Sequence, residues 1–157
     1  MRYLYILLFS IALAADDHSS EGKIDENCKD ITKDNISERS FTNEYVGTFN
    51  GKRIEYSAGL KEKVLYEKDN PDAPQASFFY TEYIAKNGNQ RPVIFSFNGG
   101  PGSASLWLHM GVLGPKVIKV PSDASDDGSP PYKIVDNKLS PLSEADLVFI
   151  DPIGTGS

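Results

Sequence analysis

The chain has 157 residues, a length that fits one domain, and its 39% apolar and 24% charged content is ordinary for a globular protein. Lys and Arg total 16 against 22 Asp and Glu, a formal charge of −6, so a polyanion is repelled overall and nucleic-acid binding is not expected. No cluster of His, Cys and carboxylates has metal-ligand spacing, the single Cys28 can form no intrachain disulfide, and no cofactor is expected.

Residues 1–15 read as a secretory signal peptide: Arg2 is a short positive start, Tyr3 to Leu13 an apolar run, and Ala12-Leu13-Ala14 place small residues where cleavage after Ala14 or Ala15 needs them. A bilayer span needs about 20 apolar residues, so this run predicts no stable membrane span after cleavage. A lipoprotein would need a Cys directly after the small residues, and Cys28 lies well beyond them. The expected location is secreted or periplasmic. Residues 16–44 are dense in Asp, Glu, Lys, Asn and Ser, with Ile24, Ile31, Ile36 and Phe41 spread without a period, and read as a polar, flexible leader. Cys28 falls in it as an incidental exposed thiol, because no neighbour would depress its pKa.

From Tyr45 the pattern turns to short β-prone runs. Tyr45 to Phe49 and Lys52 to Tyr56 flank Asn50-Gly51, the strongest short hairpin signal, and predict an antiparallel start. Lys63 to Tyr66 is a further run, followed by the breaker-rich stretch Asp69 to Pro74. Ser77 to Ala85, with Phe78, Phe79, Tyr80 and Tyr83, predicts a partly buried strand whose aromatics serve packing. Asn87-Gly88-Asn89 marks a turn. Pro92 to Phe97 is apolar almost throughout, the mark of a central strand covered on both faces. It ends at Asn98-Gly99-Gly100-Pro101-Gly102. Leu106, Leu108, Met110, Val112 and Leu113 then predict a short helix within Ser103 to Leu113, stopped by Gly114-Pro115. Pro121 to Pro131 reads as an acidic surface loop. Leu147 to Ile150 predicts a second central strand, leading into Asp151-Pro152-Ile153-Gly154-Thr155-Gly156-Ser157.

Two buried strands joined through a helix must run parallel, and in such a sheet the loops at the carboxyl ends hold ligands. Both glycine clusters fall on that edge. Glycines directly after a buried strand leave backbone N–H groups free to approach a negative oxygen, and Asn98 adds a neutral donor. The dinucleotide pattern G-x-G-x-x-G is not met by Gly99, Gly100 and Gly102, and no Gly-Lys-Ser/Thr completes a phosphate loop. A tight structural turn with no ligand remains open. A loop after the third strand of an α/β-hydrolase fits better, since that turn donates one N–H of the oxyanion hole.

Phe97 to Ser105 (FNGGPGSAS), Leu113-Gly114-Pro115 and Asp151 to Gly156 (DPIGTG), in that order, resemble the serine carboxypeptidases of peptidase family S10. Trp107-Leu108-His109 and Pro130-Pro131-Tyr132 make the chain look most similar to the bacterial branch. The resemblance covers residues 45–157, the N-terminal portion of such a domain. It implies an α/β-hydrolase fold with a mixed, mostly parallel central sheet, and an exported serine-type carboxypeptidase that releases C-terminal residues. It also implies roles. Gly100 would give the first backbone N–H of the oxyanion hole; Asn98 and the Gly99 N–H would bind the free C-terminal carboxylate of a peptide substrate. An internal peptide bond offers no carboxylate, so those donors would go unpaired.

The chain departs from the eukaryotic pattern at three places and from the usual pattern of the whole family at a fourth. Val112 stands for a Glu that helps hold the carboxylate at acid pH, so an acidic optimum does not carry over. Ser96 stands for a Trp, Ser103 for a disulfide-forming Cys, and Ser157 for the aromatic residue after Gly-Thr-Gly. No G-x-S-x-G nucleophile elbow occurs within the 157 residues, and this fold places Ser, Asp and His later in the chain, so no part of a triad is expected here and these residues alone are expected to be inactive. His109 reads as a packing or capping group, and Ser103, Ser105 and Ser157 as loop and cap residues. The alternatives are an esterase or acyltransferase on the same fold, or a secreted binding module without catalysis.

Overall fold

In the computed structural model the described residues are 37–86, 88, 90–99, 102–121, 123 and 130–155. The predicted signal peptide, Cys28, most of the leader, Gly100 and Pro101 lie outside them. Five strands form one sheet in the order β1-β2-β3-β7-β4: β1 Ser40–Phe49, β2 Lys52–Glu67, β3 Asn70–Ala85, β4 Val93–Ser96 and β7 Asp146–Asp151. Between β4 and β7 come a helical segment, a two-stranded ribbon of β5 Lys116–Lys119 and β6 Lys133–Asp136, and a 3₁₀ turn at Pro141–Ser143. The helical segment is one α turn, α1 Leu106–Leu108, continued as a π turn over His109–Leu113.

The hairpin falls where Asn50-Gly51 places it. Asn50 (φ 49°) and Gly51 (φ 77°) both take the left-handed region that a two-residue primed turn requires. Register follows from that turn, with Phe49 opposite Lys52 and Ser40 opposite Lys61. β1 therefore begins at Ser40, and residues 40–44, read as the end of a flexible leader, are paired strand: a partner ladder supplies order that their composition does not. β2 absorbs the separate run at Lys63 to Tyr66. β3 likewise starts at Asn70 and takes in Pro71 and Pro74, with register shifts around Tyr66 where a proline has no N–H to give the ladder.

β4 and β7 are parallel, Ser96 opposite Phe149, as a crossover through a helix demands. The sheet is mixed, but three of its four pairings are antiparallel; the expected mostly parallel sheet is not what the described residues form, because they contain only two strands joined by a crossover. β7 is central. β4, read as central, is an edge strand among the described residues, pairing β7 alone, and Phe95 is half exposed. Its apolar run encodes a strand suited to cover on both faces; only the face carrying Ile94 receives it here.

The core lies on one face of the sheet and obeys the strand period of two. Ile54, Tyr56 and Ala58 of β2, Tyr83 and Ala85 of β3, Leu147 and Phe149 of β7, and Ile94 of β4 point the same way. Leu108 and Leu113 of the helical segment and Leu142 of the 3₁₀ turn cover them. Leu106, Trp107 and Val112 face away and are exposed, so the helix is half committed to the core. Under the sheet, Asp146 accepts from the Arg91 guanidinium at 3.0 Å and from the Ala85 N–H at 3.0 Å, while Arg91 also donates to the Leu142 carbonyl at 2.6 Å. That shared carboxylate ties the start of β7 to β3 and to the turn that feeds β4.

Candidate active site

Since β4 and β7 are parallel neighbours, their carboxyl ends lie side by side. The segments that leave them, 97–105 and 151–155, form one loop pair at that edge. Asn98 is half-buried, and its Nδ2 donates to the Ala104 carbonyl at 2.7 Å and reaches Ser103 Oγ at 3.5 Å, closing the base of its own loop. Gly99 is exposed, and no atom of the described residues beyond its chain neighbours lies within 4 Å of where a side chain would start. Gly102 turns the chain at φ +74°. Gly100, the oxyanion donor implied by the resemblance, is outside the described residues.

Ser105 joins the two loops. Only 1% of its surface is exposed. Its N–H donates to Asp151 Oδ1 at 2.8 Å, and its hydroxyl donates to the Ile150 carbonyl, with the Ser96 carbonyl 3.5 Å away. One hydroxyl carries one proton, so the closer Ile150 oxygen takes it. Ser105 takes the cap position before α1, as a loop or cap residue should, but its side chain makes no cap hydrogen bond, because the hydroxyl is spent across the strand ends instead. Its carbonyl accepts from His109 N at 2.8 Å and starts the helix.

The far end of that helix is fixed from residues 137–140. Asn137 Nδ2 donates to the carbonyls of Val112 (2.8 Å) and Gly114 (2.9 Å), and Ser140 Oγ donates to the Leu113 carbonyl at 2.8 Å. These are the orphan carbonyls that every helix leaves at its carboxyl end. Gly114 sits so close that a side chain there would collide with the His109 carbonyl, whose oxygen accepts the Gly114 N–H. Hence Gly-Pro after Leu113 is a steric need as well as a stop.

His109 is a packing group, as expected. Its ring stacks on Phe149 at 4.5 Å between centroids, and its Nε2 lies 2.6 Å from the Tyr83 hydroxyl. Burial pushes the Tyr83 hydroxyl up to about 12 and holds the His109 ring below its usual value, with nearby Asp151 opposing the second shift. The phenol and the imidazole are thus both neutral near neutral pH, and the ring tautomer sets which of them donates. Neither Ser103 nor Ser105 has this histidine as a base, and no nucleophile and base are paired among the described residues. A groove of about 640 Å³ runs beside the second loop, lined by Asp151, Pro152, Gly154 and Thr155 against Arg39, Glu62 and Phe79; neither Asn98 nor Gly99 lines it. Among the described residues, no three His, Cys, Asp or Glu side chains gather as a metal site, and no helix is long and apolar enough to cross a membrane.

Of the three residues read from sequence as substrate-binding, Asn98 and Gly99 stand together at the sheet edge. The sequence reading missed the Ser105–Asp151 link. Its only signal was that DPIGTG follows a strand parallel to the one before NGGPG, since a carboxylate at one strand end can meet an N–H at the other.

A mixed sheet with two adjacent parallel strands joined through a helical segment is consistent with a protein of α/β type. The family model for serine carboxypeptidase matches residues 58–157, and the chain belongs to that family. It is 35% identical over 92 residues to serine carboxypeptidase-like 36 of Arabidopsis thaliana, covering 58% of this chain and 17% of the relative. It is also 35% identical over 98 residues to a pheromone-processing carboxypeptidase of Saccharomyces cerevisiae, covering 62% of this chain and 12% of the relative. The chain thus spans less than a fifth of the length of these relatives. No solved structure matches it.

Proposed function

We propose that this chain forms the N-terminal part of an exported serine-type carboxypeptidase with the α/β-hydrolase fold, and that residues 98–102 receive two negative oxygens of a peptide substrate. Asn98, with the Nδ2 proton that the Ala104 carbonyl does not take, and the Gly99 N–H take the free C-terminal carboxylate, and the Gly100 N–H takes the oxygen of the tetrahedral intermediate. Loss of one oxyanion donor costs about 2.7–4 kcal/mol of transition-state stabilisation. The observation that carries the reading is the parallel pairing of β4 and β7, which brings their carboxyl ends to one edge, with Gly99 exposed there.

The chemistry follows from the kind of donor the loop offers, neutral amide N–H groups instead of a cation. A carboxylate arriving at Gly99 and Asn98 is stabilised by neutral donors, so binding needs no cation; a C-terminal amide brings an N–H where an acceptor is required and is rejected. The nucleophile and its base belong to residues beyond those described.

The test is to express the complete reading frame that carries these residues and to assay a blocked dipeptide, its C-terminal amide and its ester. Release of the last residue from the free acid, with at least about a hundredfold preference over the amide, is the expected result. Equal turnover of amide or ester, or no labelling by a serine-directed phosphonate, overturns the reading. Export through residues 1–15 is checked on the same product: the mature protein should begin at Ala15 or Asp16.

A further inference from the structure

We propose that Asp151 is a positioning residue of this edge: by holding the Ser105 N–H it fixes Ala104 and Ser105, and so sets where the donors at Asn98 and Gly99 stand. The inference rests on the carboxylate-receptor reading above and goes beyond it, since Asp151 touches no substrate there.

The 98–102 loop has two ends. The near end leaves β4 and is fixed by the pairing of Ser96 with Phe149. Beyond Gly102, whose φ of +74° bends the chain, nothing in the sheet ladder holds the backbone until the helix begins. Ser105 fills that gap. As the residue preceding α1, its N–H has no partner inside the helix, and a buried N–H without a partner is costly. Asp151 supplies the acceptor at 2.8 Å, and a hydrogen bond to a carboxylate is about twice as strong as a neutral one. The backbone that carries the carboxylate is held, because Asp151 closes β7 opposite Phe79 in the ladder. Asn98 Nδ2 to the Ala104 carbonyl then spans the loop from side to side, so Asn98, Ala104, Ser105 and Asp151 form one chain of contacts. Shifting Ser105 shifts Ala104, and with it the amide of Asn98 and the backbone of Gly99. Displacement of about 1 Å at a reacting centre can cost roughly a hundredfold in rate.

The Ser105 hydroxyl is a second hold on the same residue. It bonds the Ile150 carbonyl, one residue before Asp151, and adds to the same attachment without setting the N–H direction.

The experiment compares D151A and D151N with wild type in the complete protein. The readout is the ratio of kcat/KM for a blocked dipeptide to that for its C-terminal amide, which does not depend on how much enzyme is folded. Amide hydrogen exchange at Ser105 is measured on the same proteins. D151A is expected to lower the ratio by about tenfold or more and to speed Ser105 exchange by a similar factor; D151N, whose carboxamide oxygen still accepts, is expected to stay within about threefold on both. An unchanged ratio in D151A overturns the proposal even if exchange quickens, and so does a D151N as impaired as D151A, which would make charge the cause. If wild type itself shows no preference for the free acid, the receptor reading has failed and this inference falls with it, an outcome distinct from a selective wild type with an indifferent D151A.

Discussion

The ladder of β1, β2 and β3 and the loop pair beyond β4 and β7 are built by different means. The ladder repeats one interaction, the backbone hydrogen bond between neighbours, from Ser40 opposite Lys61 to Tyr56 opposite Ala85, so no single residue decides it. The loop pair is held by single side-chain contacts to backbone groups: Asn98 to Ala104, Asp151 to Ser105, and Asn137 and Ser140 to the helix end. Redundancy suits a support, whereas individually placed contacts suit a site whose atoms must stand in fixed positions. Single substitutions should therefore fray the ladder locally but displace the loop pair as a unit.

Phe149 belongs to both regions. It is 2% exposed, meets Tyr83 of β3 edge-on and carries the His109 ring on its face. F149A is expected to cost about 3–5 kcal/mol in urea unfolding, more than any substitution confined to one of the two regions. The loss should spread over ladder and loops alike. A cost near 1 kcal/mol would show that the two regions do not share a core.

Gly114 tests the loop side alone. G114A forces a methyl group onto the His109 carbonyl, and overpacking of this kind costs about 1–3 kcal/mol. Amide shifts should move at residues 105–114 and 137–140 and stay still along β1 and β2. Uniform small shifts, or changes confined to residue 114 itself, would deny that the helix end is fixed as a unit.

The ladder was the more legible half in the sequence, and the reason is local. Asn50-Gly51 states its own turn, and the alternation Ile54, Tyr56, Ala58 names the buried face within one strand. The glycine loops were legible too, because glycines after an apolar run need no partner to be recognised. What the sequence did not disclose depends on distant partners. The β5–β6 ribbon is short, mostly exposed and flanked by prolines, and shows itself only when Lys116 meets Asp136 across 20 positions. Residues 40–44 read as leader because their own composition is polar; β2 makes them strand. The edge position of β4 is a matter of which neighbours the described residues include, which no apolar run can state.

Gly51 tests the ladder alone and more gently. At φ +77° an L side chain is strained, so G51A should cost about 1–2 kcal/mol. The turn is also tied to the segment that fixes the helix: Asn50 N–H donates to the Lys138 carbonyl at 2.7 Å, and Asn50 Nδ2 donates to Ser143 Oγ at 2.8 Å. Exchange should quicken at residues 48–54 and, by a smaller factor, at 138–143. If it quickens equally at residues 98–105, the two regions are less separate than their construction implies.

The smallest effect near neutral pH, and the one with a sign to be checked, belongs to His109. Burial lowers its folded pKa below the unfolded value of about 6.5, so above that pH the ring is neutral in both states and its contribution to stability is fully present. As pH falls through about 6.5 the unfolded chain takes up a proton that the folded ring refuses, and stability drops until the folded ring is protonated in turn. Protonation also fixes Nε2 as a donor, so the Tyr83 hydroxyl it faces must accept from it. H109Q keeps an oxygen for that hydroxyl but does not titrate. The urea midpoint of wild type should therefore fall more steeply than that of H109Q between about pH 7 and pH 5, with carboxylates common to both cancelling in the difference. Parallel profiles would mean that the ring is as free to protonate in the folded chain as in water. The stack on Phe149 would then be a loose cover over the loop pair, not part of what holds it.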